Sequence, residues 1–289
     1  MSSDSLEAVS VLDTELLGMP GVHSAYLLGT PAPVLIDAGA APAADLVEAT
    51  LHERGVGAGD LAAIVPTHVH LDHAGAVGEL AARFPNATVY VHERGRPYLT
   101  DRDRLERLAA SARRAVGDAV ADQYGTPTVL PESRTESIED GDVVPCGDRD
   151  LDVVHAPGHA PHQVALVDPV SGAAFVGDAA GMHLGGALLP TTPAPDFDLE
   201  ASLDTVARLR DRDPDALCYG HFGVREDATA ALDAYAALLP EWVNAVETAI
   251  GDVGADDRDR LVARLREDWA SPTLERDVHG AVHALDRRD

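Results

Sequence analysis

Three histidines and a carboxylate crowd into the run Thr67-His68-Val69-His70-Leu71-Asp72-His73, directly after the short apolar stretch 61–66. That stretch reads as a strand. In extended backbone, residues two apart face the same side, so His68 and His70 can present their imidazoles to one ion. Asp72 and His73 lie where the chain turns into a helix and can face a second ion. Imidazole and carboxylate without thiolate suit zinc, iron or manganese better than a closed structural zinc site.

A pair of ions needs further ligands, and the later sequence offers them at the ends of predicted strands. His159 stands in Ala156-Pro157-Gly158-His159, Asp178 in Val176-Gly177-Asp178, and His221 in Tyr219-Gly220-His221-Phe222-Gly223. A glycine beside each lets the backbone approach a site closely. Singly, each of these is a common turn sequence, and their weight comes from the combination.

Together these motifs resemble the metallo-β-lactamase superfamily, whose pattern is His-x-His-x-Asp-His, then a separate His, a Gly-Asp and a final His. The resemblance covers roughly residues 21–223. It implies an α/β fold, the four-layer αβ/βα sandwich, with strand-end loops converging on the site at one edge. It further implies that His68, His70 and His159 bind a first divalent ion and Asp72, His73 and His221 a second, with Asp178 bridging. Asp37, in Ile36-Asp37-Ala38-Gly39, matches the family's early Asp-x-Gly, a carboxylate beneath the metal loop; a turn-forming Asp is the alternative. The run 156–163 is similar to the branch holding glyoxalase II-like hydrolases and lactonases.

The resemblance implies a binuclear metallohydrolase acting on a thioester, ester or lactone, with two ions, zinc first and iron or manganese as alternatives. A hydroxide shared by the ions would attack while Asp72 orients it. No Gly-x-Ser-x-Gly nucleophile motif is present, and none is needed. The rival readings are a metal-dependent phosphodiesterase or nuclease and a non-catalytic metal-binding scaffold. His162, three residues after His159, is a candidate proton shuttle or substrate donor, with a structural role as the alternative. His183, close after Asp178, reads as a pocket-lining residue or, in preference, a solvent-facing loop residue, residues 190–195 as a pocket wall or connector, and Cys218 and Tyr219 as core.

Several elements must position these residues. Strands are predicted over 24–28 and 34–37 as a hairpin, then over 88–91, 151–155, 163–168, 173–176 and 216–219. Helices are predicted over 43–54, 75–84 and 199–210. The segment 97–124, rich in Arg, Asp, Leu and Ala, reads as a helical insertion. The segment 225–289 reads as a helical extension broken near 251–255 and 271–272. No repeat or Ser/Gly-rich joint divides the chain, so 1–289 reads as one domain.

The chain has 289 residues, 45% of them hydrophobic, which excludes disorder as its dominant state. All 22 basic residues are arginine against 49 acidic ones, a net charge of −27. This pattern resembles proteins of halophilic archaea, where acidity serves solvation in concentrated salt. It argues against a nucleic-acid partner and for a small-molecule substrate, with a homodimer as an open alternative. With two cysteines, no signal-peptide pattern and no apolar run long enough for a membrane span, the sequence predicts a cytoplasmic protein outside the membrane.

Overall fold

Short apolar strands that bury both faces build the centre of the protein. The computed structural model describes residues 9–255 and 257–287, and holds two six-stranded sheets. The first runs β1 (Ser10–Asp13), β2 (Ser24–Leu28), β3 (Val34–Ile36), β4 (Ala63–Val65), β5 (Thr88–His92), β6 (Thr135–Ile138). The second runs β14 (Gly223–Arg225), β13 (Ala216–Tyr219), β10 (Ala173–Gly177), β9 (Val164–Val167), β8 (Arg149–His155), β7 (Val143–Cys146). Parallel pairing joins β3 through β6, and β10 with β13; the other neighbours are antiparallel. The predicted hairpin is the antiparallel pair β2–β3, with Tyr26 opposite Ile36.

Side-chain alternation assigns the layers. On β3, Val34 and Ile36 point into a core shared with Val153, Leu166 and Phe175 of the second sheet, so the two sheets pack face to face. Leu35 points the other way, into a core that includes Val47 and Leu51 of α1 (Ala44–Glu53) and Leu80 of α3 (Val77–Arg83). On β10, Phe175 faces the inner core while Ala174 and Val176 face an outer one. That outer core takes Leu209 of α7 (Leu199–Asp211), Trp242 of α8 (Ala228–Val253), Leu261 of α9 (Arg258–Leu265) and Val278 of α10 (Leu274–Asp286). The result is the helix–sheet–sheet–helix sandwich with a helical C-terminal extension. Burying one large apolar side chain stabilises by about 1.5–3 kcal/mol. Three cores of this kind supply the apolar burial that holds the fold together.

Segment 97–124 forms the end of α4 (Arg96–Thr100), α5 (Arg102–Val116) and α6 (Asp118–Tyr124). Asp101 caps α5 by accepting from the Arg104 N–H at 3.0 Å. Leu105, Leu108, Ala112 and Val116 recur at helical spacing; Leu108, Ala112 and Val116 pack with Leu71 and Tyr124. The opposite face is charged, and Arg113 there pairs with Asp118 and Asp122. In the extension, α8 stops at Gly254, whose φ of 87° suits a helix-ending glycine, and α10 begins just beyond Ser271-Pro272. Among the described residues, no helix is long and apolar enough to cross a membrane.

Candidate metal centre

Four loops that leave β4, β8, β10 and β13 bring the histidines and carboxylates together. His68 and His70 follow β4, and His159 follows β8. His68 Nε2 and His159 Nε2 lie 2.9 and 3.0 Å from His70 Nδ1. Hydrogen bonds on the far side of two of these rings fix their tautomers. His159 Nδ1–H donates to the Thr191 carbonyl at 3.1 Å. The Thr67 hydroxyl donates to Asp37 at 3.0 Å and accepts from His68 Nδ1 at 3.2 Å. Both Nε2 atoms therefore present bare lone pairs, which repel one another unless a cation lies among them. The spacing is close to the edge of a tetrahedron about a zinc ion, roughly 3.3 Å for Zn–N bonds of about 2.0–2.1 Å.

Asp72 and His73 lie on α2 (Leu71–Ala74), which opens immediately after His70, and His221 follows β13. His221 Nδ1–H donates to the Val22 carbonyl at 2.9 Å, so its Nε2 is bare and lies 3.5 Å from Asp72 Oδ2. Asp178, at the end of β10, joins the two groups. Its Oδ2 is 3.3 Å from His159 Nε2, while its Oδ1 is 3.4 Å from His73 Nε2 and 3.8 Å from His221 Nε2. His73 Nε2, His221 Nε2 and Asp178 Oδ1 are buried and find no hydrogen-bond partner. Orphaned donors and acceptors of this kind are costly in a protein interior and fit a bound cation. His68 with His70 and His159, His68 with His73 and Asp178, and Asp72 with His73 and His221 each bring their ligand atoms close enough to hold a metal ion.

Asp37 supports this centre from below. It holds a φ of 57°, uncommon for a residue with a side chain, and receives the Thr67 N–H at 2.7 Å. Its Oδ2 lies 2.9 Å from His73 Nδ1, which orients that ring towards Asp178. Gly220 makes the packing possible. A Cβ there would lie 2.4 Å from His73 Cε1, so the second cluster requires a residue without a side chain.

Burial governs the charges. Desolvation, reinforced by neighbouring imidazoles, holds His68 well below the usual histidine range, and burial brings His159 down to about 3. Both rings are thereby kept neutral, the form that binds a metal. Burial alone would also lower His73, but the Asp37 and Asp178 carboxylates outweigh it and hold that ring well above its ordinary value. Burial would raise Asp72 and Asp178; histidines overcome it at both, keeping Asp72 and Asp178 ionised.

Other candidates fall around this core. His162 is buried behind the first cluster, its ring centroid 6.3 Å from His68 and 6.2 Å from His70, and its Nε2 has no partner. It is outside the convergent sets. His183 corrects the solvent-loop expectation. It lies on β11 (Met182–Leu184), paired with β12 (Ala187–Leu189), and meets Tyr219 edge-on at 4.9 Å with both ring nitrogens buried. Cys218 and Tyr219 are core, as expected. Of the segment 190–195, Pro193 to Pro195 form a pocket wall, and Thr191 holds His159 in place. A cavity opens over the site, lined by His70, Asp72, Leu108, Tyr124, Pro195 and Arg276 among others. The insertion is thus one wall of the cavity.

His23, Tyr124 and Arg276 join the site without any signal in the sequence. His23 Nε2 sits 3.3 Å from His73 Nδ1, and its Nδ1 sits 3.0 Å from the Thr14 hydroxyl. None of the three stands in a local pattern, so only the fold reveals them.

The two-sheet sandwich and the strand-end cluster define a metallo-β-lactamase fold, and the sequence profile of the Metallo-beta-lactamase superfamily matches residues 18–221. The chain belongs to that superfamily. Among its relatives, the fold-containing protein ST1585 of Sulfurisphaera tokodaii is 30% identical over 161 residues, 56% of this chain and 60% of that protein. The N-acyl homoserine lactonase AttM of Azorhizobium caulinodans is 32% identical over 173 residues, 58% of this chain and 60% of the relative. The acyl-coenzyme A thioesterase MBLAC2 of Bos taurus is 33% identical over 119 residues, 39% of each. These matched regions fall short of two thirds of each relative's length. Two crystal structures share the fold. ST1585 superposes with a TM-score of 0.69 at 21% identity, covering 95% of this chain and 98% of that one. TTHA1429 of Thermus thermophilus gives 0.72 at 20% identity, covering 98% and 94%.

Proposed function

We propose that this chain is a binuclear metal-dependent hydrolase that cleaves a thioester, ester or lactone. The observation that carries the reading is the Asp178 carboxylate, with one oxygen turned towards His159 and the other towards His73 and His221. Under this reading His68, His70 and His159 hold one ion, zinc in the first instance, and Asp72, His73 and His221 hold the second. Asp178 belongs to both, and Asp37 orients His73. When bound, two such ions acidify a water and polarise the substrate carbonyl.

The chain's own residues complete the chemistry. Asp72, kept ionised by His221, accepts a hydrogen bond from the attacking water and aims it at the carbonyl carbon. The wall formed by Leu108, Ala112 and Val116 holds the acyl portion over the site and excludes bulk water. His162, with its ring centroid 6.3 Å from that of His68 and 6.2 Å from that of His70, takes the structural role rather than that of a proton shuttle. The lactonase and thioesterase relatives support an acyl substrate, and the net charge of −27 opposes a nucleic acid. The all-arginine, acidic composition supports salt-adapted solvation, so assays belong at high salt.

The test is a screen of thioesters, lactones, β-lactams and phosphodiesters with the zinc-loaded protein, the chelated protein and the protein reloaded with zinc. The proposal expects thioester or lactone hydrolysis that chelation abolishes and zinc restores. Turnover confined to phosphodiesters, or turnover indifferent to chelation, overturns it.

A further inference from the structure

The cavity above the metal centre contains one cation that the hydrolytic chemistry does not use. Arg276 stands near the start of α10, in the C-terminal extension, and lines the same cavity as His70 and Asp72. Its Nε and Nη2 both donate to Asp277 Oδ1, at 3.2 and 3.0 Å. Asp277 is itself anchored, since its Oδ1 accepts the Thr192 N–H at 3.0 Å and its carbonyl accepts the Thr192 hydroxyl at 2.9 Å. The guanidinium is therefore held from one side. Among the described residues, its Nη1 has no hydrogen-bond partner.

Tyr124, the last residue of α6, lines the cavity too, and its hydroxyl likewise has no partner among the described residues. Burial, reinforced by Asp72, raises its pKa, so it remains a hydrogen-bond donor at neutral pH. Two donors, one charged, thus converge on one cavity from the insertion and the extension. Leu71, Leu108, Ala112 and Val116 give the lining an apolar side, and Ser111 and Asp196 add polar groups to it. The guanidinium charge is balanced first by Asp277 and then by Asp178 and Asp72, whose charge bound ions would take up; Asp196 also lines the cavity, and the Nη1 edge is what remains open to a ligand. A guanidinium edge open to the cavity beside a neutral donor matches a carboxylate.

We infer that Arg276 and Tyr124 form an anion clamp that selects substrates bearing a carboxylate on the acyl side, away from the bond to be cleaved. This rests on the hydrolase reading above and adds the substrate class to it. Arg276 is a specificity residue here, acting on binding and not on bond cleavage.

The test is calorimetric binding of butyrate and of the dicarboxylates succinate, glutarate and adipate to the zinc-loaded protein. Each can place one carboxylate on the metal centre, and only a dicarboxylate of fitting length can also reach the clamp. The parent is expected to bind its best dicarboxylate roughly tenfold or more tighter than butyrate. Arg276→Gln should reduce that advantage to within about twofold, and Tyr124→Phe should reduce it partly. Because Arg276→Gln leaves the buried Asp277 charge unpaired, the Arg276→Gln/Asp277→Asn double variant removes both charges and should show the same loss with native-like melting. Equal binding of butyrate and all dicarboxylates by the parent overturns the clamp, as does a preference that survives in both Arg276 variants. Metal content and hydrolysis of uncharged lactones are measured alongside. If they persist while the preference is missing, the clamp alone is wrong; if the protein holds no zinc, the hydrolase reading fails first.

Discussion

Replacing Gly220 by alanine should remove one of two ions and leave the other. The added Cβ would lie 2.4 Å from His73 Cε1, roughly 1 Å inside a carbon–carbon contact of about 3.5 Å. The His73 ring is the side that must yield, because the backbone at Gly220 is held at both its N–H and its carbonyl. The Gly220 N–H is tied to the Gly177 carbonyl at 3.1 Å, and its own carbonyl to the Ser24 N–H at 2.8 Å. The His73 ring is fully buried and held by Asp37 at 2.9 Å. A ring displaced by about 1 Å exceeds several-fold the tolerance of about 0.2 Å expected of a metal–nitrogen bond. Affinity for the ion on Asp72, His73 and His221 should fall at least about 100-fold, roughly 2.8 kcal/mol. The cluster of His68, His70 and His159 is untouched. Elemental analysis after dialysis against a weak chelator should give two zinc ions per parent chain and one per Gly220→Ala chain. Two tightly held ions in the variant would show that His73 tolerates the added methyl group.

Three further outcomes follow from the same geometry. Asp178→Asn should lower occupancy of both ions together, whereas His221→Ala should affect mainly one; elemental analysis distinguishes them, and full double occupancy in Asp178→Asn removes that residue from the bridge. Burial, helped by the stacked His155 ring, brings His92 down to about 4 from an ordinary value of 6.5, so the folded protein binds fewer protons than the unfolded chain between these values. Stability from this source is full above pH 6.5 and is lost as pH falls towards 4; the His92→Phe protein should lack that component, and parallel unfolding curves for parent and variant contradict it. Replacing residues 102–124 by a Gly/Ser loop should change relative rates among substrates more than metal content, because that segment supplies Leu108, Ala112, Val116 and Tyr124 to the cavity wall; an unaltered substrate profile contradicts the wall's role.

The parts of this protein legible in its sequence are those whose signal is local. The strands β3, β4, β9, β10 and β13 are buried on both faces and read as continuous apolar runs. The four sheet edges, β1, β6, β7 and β14, drew no bounded strand prediction. They are short and alternate with polar or exposed residues, and β7 carries Pro145, which an edge tolerates. At the site, His68 through His73 were legible because four candidate ligands crowd into one strand–helix turn. His23 reaches His73 across 50 positions, and Arg276 reaches the cavity from a helix far along the chain. Long-range placement of this kind leaves no periodicity or motif. His183, expected in a solvent-facing loop, instead meets Tyr219 because β11 pairs with β12, a pairing no local motif announces.

Anomalous diffraction at the zinc edge from crystals of the zinc-loaded protein would locate the ions on either side of Asp178. Two peaks about 3.5–4 Å apart are expected. One should lie among His68, His70 and His159, the other among Asp72, His73 and His221, with Asp178 contacting both. A single peak, or peaks bound elsewhere while Asp178 contacts neither, would contradict a binuclear centre bridged by Asp178.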